Sequence, residues 1–260
     1  MAKKNLWTRN ELIVSLNLYL KLPFGKLHHN TREIIELSKL IGRTPDAVAM
    51  RLSNFASVDP FHLQRGIVGL TGGRNQVEPI WNEFINHKEE LLFESEKILA
   101  EFQHKTIESK FQDILKGTEN LKGETKIREV KTRVNQDAFR QIVLVNYSCR
   151  CAITGIDIPE LLVAGHILPW SKHEKERLNP QNGICLSPLY DKCFDKGLMG
   201  IDADYKIHLS KILKEKTTKP YFERSFKDLD GKKIELPMKF LPKKEFLDVQ
   251  FSIFQKKNRN

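Results

Sequence analysis

Hydrophobic residues in the first part of the chain recur every three to four positions, which is the spacing of amphipathic helices. Thr8 begins a capping-box pattern, with a Glu three residues later, and the apolar stretch behind it ends before Pro23. Asn30 begins a second such pattern, and Gly42 ends the helix that follows. Thr44, with a proline directly behind it, opens a third helix. The amino-terminal region is therefore predicted to be helical.

The second and third predicted helices, joined by a glycine-containing turn, have the outline of a helix-turn-helix. In that motif the later helix lies in the major groove of DNA and offers polar side chains to bases and phosphates. A basic, glycine-rich segment at residues 61–76 suggests a hairpin or wing beside it. The DNA-binding candidates of this region are Arg43, Arg51, Asn54, Arg65 and Arg74. A plain helical bundle with a flexible loop is the alternative interpretation of the same pattern.

Apolar residues at helical spacing continue from Pro79 to Phe102 and predict one long helix. Residues 104–133 are rich in Lys and Glu and are interrupted by two glycines, which favours a partly helical linker. We therefore expect a helical DNA-recognition domain at residues 1–103, a linker at 104–133 and a second domain at 134–260.

Beyond residue 160 the pattern changes to short strands. Leu161–Leu168 is an apolar run that predicts a buried strand with His166 near its end. A polar loop and a turn that contains Asn182 separate it from a second strand at Ile184–Leu186. Ser187, followed by a proline, then opens a short helix. The predicted order is strand, loop, strand, helix.

This segment, from Cys151 to Gly197, resembles the HNH endonucleases, the ββα-metal class, and in particular bacterial restriction-type members. The likeness covers roughly residues 130–210, and the first hundred residues lie outside it. The residues that carry it are Ala164-Gly165-His166-Ile167, Asn182-Gly183, Asp191 and Phe194-Asp195-Lys196-Gly197, with Asn135-Gln136, Phe139-Arg140 and Cys151-Ala152-Ile153-Thr154-Gly155 upstream.

The resemblance implies metal-dependent hydrolysis of phosphodiester bonds in double-stranded DNA. His166 would be the general base, because an imidazole can take a proton from the attacking water near neutral pH. Asn182 would hold the loop and the histidine in place, although an asparagine in such a turn also has an ordinary turn-forming role. Asp191, where relatives commonly carry a metal-binding His, and Asp195 would bind Mg²⁺ or Mn²⁺. Arg140 is a further DNA-binding candidate.

The alternative for both aspartates is an ordinary charge on a helix surface, and it weighs more for Asp195. Relatives often have an Asp, a metal ligand, directly before the base, where this chain has Gly165. That departure keeps open a second hypothesis, a non-cutting DNA-binding regulator or scaffold with a degenerate HNH module. An RNA or single-strand nuclease is a third, but the chain lacks the interleaved basic and aromatic residues that favour such binding.

Many relatives bind a structural zinc ion through two cysteine pairs. Here Thr154, Ser187 and Tyr190 stand near the partner positions, so we expect no structural zinc. A four-thiolate site made from all the cysteines stays an alternative, because they can converge in space. These cysteines are Cys149, Cys151, Cys185 and Cys193.

The charge of the chain favours a polyanionic partner, since its net charge is +10. Residues 206–260 hold 15 Lys and Arg against 7 Asp and Glu, so most of the excess lies in this basic carboxy-terminal extension. We expect a β-hairpin at residues 199–209 before it, a short helix that ends near Leu247, and contacts from the extension to DNA phosphates. A solvated lysine-rich surface is the alternative.

The sequence also favours a cytoplasmic protein that no membrane anchors. It has no Cys-x-x-Cys pair, no signal-peptide pattern at its amino terminus and no apolar run of membrane-spanning length.

We therefore predict an α+β protein with a helical recognition module and an HNH nuclease module. The resemblance implies a restriction endonuclease against foreign DNA. Cutting both strands of a palindromic target would require a homodimer. A cognate DNA methyltransferase would be a partner in the same system if host sites are protected.

Overall fold

The computed structural model describes residues 6–117 and 120–259. The fold is α+β, as predicted, with many helices and two small antiparallel sheets. The chain divides into two compact units, residues 1–138 and 139–260. In the described part of the chain, no helix has both the length and the hydropathy needed to cross a membrane.

The described residues of the first unit form helices, turns and connecting segments, with no strand among them. Its elements are α1 (Arg9–Lys21), α2 (Arg32–Ile41), α3 (Pro45–Ala56), α4 (Pro60–Gln64), α5 (Arg74–Phe84), α6 (Lys88–Phe102), α7 (Ile107–Lys110) and the first part of α8 (Gly123–Asn146).

Two of the three predicted capping sites are confirmed. Thr8 and Glu11 form a complete capping box at the start of α1, and the Thr44 side chain accepts a hydrogen bond from the backbone N–H of Ala47 in α3. The prediction for α2 is wrong, because its N-cap is Thr31 and not Asn30. The Thr31 hydroxyl donates instead to the carbonyl of Lys26 at 2.6 Å, and so it ties the preceding turn to the helix start.

The single helix predicted from Pro79 to Phe102 is also wrong, because the chain forms two helices there. α5 already begins at Arg74 and contains Pro79 in its interior, and α6 begins only at Lys88. The break falls at Asn86 and His87, two residue types with weak helix propensity. Acidic residues then occupy the first turn of α6, where the helix dipole stabilises negative charge.

The hairpin or wing suggested at residues 61–76 is absent, since this described segment forms α4 and a 3₁₀ turn and contains no strand. Its backbone lies directly on α3. An ideal Cβ at Gly69 would lie 2.4 Å from the carbonyl oxygen of Ser53, and the N–H of Leu70 donates to that same oxygen at 3.2 Å. A strand could not approach the helix this closely with side chains pointing toward it.

Part of the segment predicted as a linker is packed against the first unit. Leu115, Val130 and Val134 are buried together, with Phe93, Ile107 and Phe111 against them. The domain boundaries derived from the sequence, at residues 103 and 134, remain predictions.

The second unit contains the ββα segment in the predicted order. Its elements are the end of α8, β1 (Val163–His166), β2 (Gly183–Leu186), α9 (Pro188–Lys196), β3 (Met199–Ile201), β4 (Ile207–Leu209), α10 (Lys211–Lys214), α11 (Pro220–Ser225) and α12 (Lys244–Lys257). β1 pairs antiparallel with β2, and β3 pairs antiparallel with β4. The final helix is longer than the predicted short helix near Leu247.

Glycines without side chains let helices pack closely on these small sheets. An ideal Cβ at Gly183 in β2 would lie 2.4 Å from Val143 and 3.0 Å from Phe139, both on α8. An ideal Cβ at Gly200 in β3 would lie 2.7 Å from the ring of Phe254 on α12. The core of the second unit therefore holds α8 behind the first hairpin and α12 against the second.

Candidate functional site

His166 is the last residue of β1, and its Cα lies opposite Gly183 of β2. Its ring stacks on the ring of Phe139 with centroids 4.2 Å apart and meets the edge of Trp170 at 5.3 Å. The half-buried imidazole is thus held between two aromatic rings, which fixes its orientation.

The hydrogen bond of His166 determines which ring nitrogen carries the proton and which can act as a base. Nε2 lies 2.9 Å from the backbone carbonyl oxygen of Arg177. A carbonyl only accepts, so Nε2 carries the proton in the neutral ring and Nδ1 keeps the lone pair. Burial lowers the pKa of His166, and the Arg177 carbonyl and the charge of Asp195 only partly oppose this. The imidazole is therefore neutral at pH 7, and Nδ1 can accept a proton.

The loop that supplies the Arg177 carbonyl is itself fixed. The Arg177 guanidinium donates through Nε to the carbonyl of Trp170 at 2.8 Å and lies over the Trp170 ring, 5.3 Å from its centroid. Arg177 thus holds Trp170 through its side chain and His166 through its backbone carbonyl.

Asn182 lies at the far end of the same loop and is fully buried. Its Oδ1 accepts from the N–H of Leu168 at 2.7 Å. Its Nδ2 donates to the carbonyls of Leu168, at 3.3 Å, and Glu176, at 3.0 Å. Asn182 therefore ties the start and the middle of the loop to the beginning of β2.

Gly165 and Asp191 meet across the site. An ideal Cβ at Gly165 would lie 2.6 Å from Oδ1 of Asp191. The carboxylate from α9 thus fills the space where any side chain at residue 165 would begin. The Asp that relatives often have on the strand is absent, but a carboxylate oxygen from the helix occupies the adjoining space.

The charge on Asp191 has no cationic partner in direct contact. No hydrogen bond or ion pair joins its carboxylate to another described residue. Burial raises the pKa of Asp191, the negative charge of Asp195 adds to this effect, and the charge of Lys192 partly opposes it. Two neighbouring carboxylates of this kind suit a hard divalent cation such as Mg²⁺ or Mn²⁺. Within residues 6–117 and 120–259, however, no three His, Cys, Asp or Glu side chains form a metal-binding group.

His166 and both aspartates line one groove of about 660 Å³ in the second unit. Its walls come from β1, the loop after it, α9 and α12. The charged and titratable side chains that line it are His166, Lys172, Asp191, Asp195 and Lys257. The structure therefore brings together three of the four residues predicted for catalysis and metal binding, and places the fourth, Asn182, in the supporting loop.

Several contributors to this groove had no predicted role. Phe139 belonged to the family pattern, but nothing in the sequence indicated its stacking on His166. The Arg177 carbonyl is a backbone group and leaves no sequence signal. The wall from α12, with Gln250 and Lys257, lies far from the motif, and only its helical hydrophobic spacing marks it.

The predicted DNA-binding residues differ widely in their surroundings. Arg140 donates to the carbonyls of Pro159, at 2.8 Å, and Leu162, at 3.0 Å, and so anchors the segment that leads into β1. Arg65 and Arg74 are exposed. Arg74 forms an ion pair with Glu78, and Arg65 lies over the ring of Phe61.

The remaining three candidates lie inside the helical unit, in contrast to the groove-facing surface expected of a recognition helix. Arg51 and Asn54 are only 9% and 6% exposed, and Asn54 donates to the carbonyl of Leu70 at 2.6 Å. Arg43 donates to Glu11 at 2.7 Å, and Arg43 and Arg51 both lie over the ring of Trp7. The segment at residues 61–76 covers this face of α3. We therefore leave these three residues out of the DNA-contacting surface proposed below.

The four cysteines are free thiols. Cys151 Sγ accepts from the backbone N–H of Ser187, the N-cap residue of α9, at 3.2 Å. Burial, with smaller effects from Cys151 and Cys149, raises the pKa of Cys185 to about 12. Cys151 therefore has a helix-capping role in this structure, whereas the expectation about zinc stays a prediction.

Comparison with known proteins agrees with this geometry. A family model described as HNH endonuclease matches residues 151–202, which contain β1, β2, α9 and β3 with His166, Asn182, Asp191 and Asp195. No curated protein matched the chain. An HNH domain indicates nuclease activity on DNA. Residues 151–202 therefore form an HNH domain.

Proposed function

We propose that the protein is a metal-dependent endonuclease that hydrolyses phosphodiester bonds of double-stranded DNA. The observation that carries this proposal is the shared groove. It is lined both by a neutral His166, whose Nδ1 is free, and by Asp191, whose carboxylate is half-buried. The net charge of +10 supports a polyanionic substrate.

In the proposed mechanism, Nδ1 of His166 takes a proton from the attacking water while Nε2 keeps its hydrogen bond to the Arg177 carbonyl. The imidazolium that forms is stabilised by that carbonyl and by the charge of Asp195. Asn182 contributes by holding the loop that carries Arg177. The water oxygen bonds to phosphorus as the bond from phosphorus to the 3′ oxygen breaks. The departing 3′ oxygen takes a proton from solvent, which leaves 5′-phosphate and 3′-hydroxyl ends.

Asp191 and Asp195 would hold a Mg²⁺ or Mn²⁺ ion, which when bound neutralises charge at phosphorus and at the leaving 3′ oxygen. The carboxylate oxygen beside Gly165 argues against the alternative of a degenerate, non-cutting scaffold. The missing strand Asp leaves a space that this chain fills with a carboxylate from α9.

We further propose that the enzyme acts in restriction of foreign DNA, as a cytoplasmic homodimer whose two active sites cut the two strands. A cognate DNA methyltransferase would protect host sites in such a system. These parts rest on the resemblance to bacterial restriction-type nucleases and on the need for two cuts in a duplex.

The test is a supercoiled-plasmid assay with Mg²⁺ or Mn²⁺, using the wild type, His166→Ala and His173→Ala. The wild type and His173→Ala are expected to nick and linearise the plasmid. His166→Ala is expected to lose at least about a hundredfold in rate, the usual contribution of general acid–base catalysis. His173 is the matched control because it lies in the same loop but does not line the groove.

A wild type that binds duplex DNA without cutting it in either metal would overturn the proposal in favour of a scaffold. Equal rates for the wild type and His166→Ala would also refute it, because the cut would then come from another site or from a contaminant.

A further inference from the structure

The last helix of the chain lies outside the segment that matches the nuclease family, yet it forms part of the catalytic groove. α12 spans Lys244–Lys257, whereas the family match ends at residue 202. Gln250, Ile253, Phe254 and Lys257 from this helix line the groove together with His166, Asp191 and Asp195. One wall of the groove therefore comes from the carboxy-terminal extension, outside the matched segment.

The position of α12 is fixed by contacts along its length. The ring of Phe254 lies against Gly200 of β3, where an ideal Cβ would come within 2.7 Å of it. At the end of the helix, Nδ2 of Asn258 donates to the carbonyl of Gly197 at 3.1 Å and to that of Phe254 at 2.8 Å. α12 is thus held both on the hairpin and at the C-terminal end of α9.

These contacts place Lys257 beside the acidic end of α9. An ideal Cβ at Gly197 would lie 2.9 Å from Cδ and 3.5 Å from Nζ of Lys257, so the lysine stem lies flat on this glycine. Gly197 has a φ of +72° and caps α9, two residues after Asp195. The ammonium group is therefore held at the groove edge by a stem with restricted freedom.

The ammonium group of Lys257 is also available. It forms no hydrogen bond or ion pair with any residue in the described ranges, and the residue is exposed. Asp191 and Asp195 make this part of the groove negative, and Lys172 and Lys257 are the lysines that line it. A lysine supplies a point charge that suits a phosphate oxygen.

α12 also brings an uncharged polar side chain to the groove wall. Gln250 is buried and lines the groove, and its Oε1 has no hydrogen-bond partner in the part of the chain that the structure describes. Gln250 and Lys257 are thus the polar residues that α12 adds to the groove wall.

We propose that α12 is part of the substrate-binding site and that Lys257 binds a DNA phosphate next to the one that is cleaved. This inference rests on the proposed function, since it takes duplex DNA as the substrate. It assigns a backbone-positioning contact to a residue outside the HNH motif, and Lys257 acts in binding and not in proton transfer.

The test measures binding separately from cutting. His166→Ala is used as the background, and Lys257→Gln or Lys256→Gln is added to it. Binding of a short fluorescein-labelled DNA duplex is followed by anisotropy over about 50–200 mM KCl. Lys256 is the matched control because it is the neighbouring exposed lysine on the same helix but does not line the groove.

We expect Lys257→Gln to weaken binding about three- to tenfold and to reduce the slope of log affinity against log salt by about 0.9, the value for one lost phosphate contact. Lys256→Gln is expected to change the affinity and the salt slope by less than half as much as Lys257→Gln does. Thermal melts of both variants should match the background, since both side chains are exposed.

Equal effects of the two substitutions, or no change in slope for Lys257→Gln, would overturn the inference. Failure of the proposed function gives a different result. A wild type that cuts no DNA, combined with a reduced slope for Lys257→Gln only, would refute the enzymatic proposal and support Lys257 as a DNA contact.

Discussion

At the scale of single residues, the site depends on one position without a side chain. Gly165 sits directly before the proposed base, and its missing Cβ leaves room for Oδ1 of Asp191. The glycine is thus what permits the α9 carboxylate to lie beside β1. A side chain at residue 165 and the observed position of Asp191 exclude each other, because real Cβ atoms do not approach an oxygen to 2.6 Å.

Gly165→Ala is therefore expected to displace the Asp191 carboxylate and to lower the rate of metal-dependent plasmid cleavage about tenfold or more, with apparent metal affinity reduced. The measurement is the cleavage rate as a function of Mg²⁺ or Mn²⁺ concentration. A thermal melt shows whether the variant keeps its fold.

A double-mutant cycle provides the control. If Gly165→Ala acts through Asp191, adding it to Asp191→Asn should cause little further loss, because the carboxylate is already gone. Losses that multiply in the double variant would show that the glycine matters for another reason, such as the position of His166.

How far single residues could be predicted depended on whether their role was chemical or steric. The resemblance to the HNH endonucleases picks out His166, Asn182 and Asp191, and the structure places them at or beside one groove. Gly165 appeared in the sequence only as a missing ligand. Its value as empty space depends on where a side chain from another element lies, and a pattern in one strand does not contain that information.

At the scale of elements, the same limit explains the errors in the first unit. Capping signals predicted α1 and α3 well, because a cap is a local interaction. The exposure of α3 was predicted wrongly because it depends on what covers the helix. The residue types of Arg51 and Asn54 suit DNA contacts, but the segment at residues 61–76 lies over them.

Gly69 makes that covering contact possible, and its substitution tests it. An added Cβ would lie 2.4 Å from the carbonyl of Ser53 and 2.5 Å from the N–H nitrogen of Ser57, both backbone atoms that move little. We expect Gly69→Ala to lower the free energy of unfolding by about 1–3 kcal/mol, as overpacking does. Urea titration followed by circular dichroism measures this change.

Gly72 in the same segment is the matched control, since an added Cβ there meets nothing within 4 Å. Gly72→Ala should stay within about 0.5 kcal/mol of the wild type. Equal stability of both variants would mean that the segment does not rest on α3 in solution, and the face of α3 with Arg51 and Asn54 would then be available to DNA.

At the scale of the whole molecule, the net charge is positive, but a buried negative charge also contributes to the stability of the fold. Glu96 on α6 is buried. Its carboxylate forms ion pairs with Lys21 from α1 at 2.8 Å and Lys110 from α7 at 2.7 Å, and it accepts a hydrogen bond from Asn17 of α1 at 3.2 Å. Three helices of the first unit thus converge on one carboxylate, so its protonation state bears on the stability of the fold.

Burial alone would raise the pKa of Glu96, but the charges of Lys21 and Lys110 and their hydrogen bonds outweigh burial and lower the pKa from 4.5 to about 2. A lowered pKa stabilises the fold above pH 4.5, and that contribution, roughly 3 kcal/mol at 1.36 kcal/mol per pKa unit, disappears as the pH falls toward 2.

We expect Glu96→Gln to unfold at lower urea concentration at pH 7 and to lose less stability than the wild type between pH 5 and pH 2.5. Circular dichroism in urea at each pH measures this, and Glu94→Gln is the control because Glu94 lies on the same helix in an exposed ion pair with Arg9. If Glu96→Gln keeps the full acid sensitivity of the wild type while Glu94→Gln loses it, the acid response belongs to surface charges, and the three-helix junction at Glu96 does not control it.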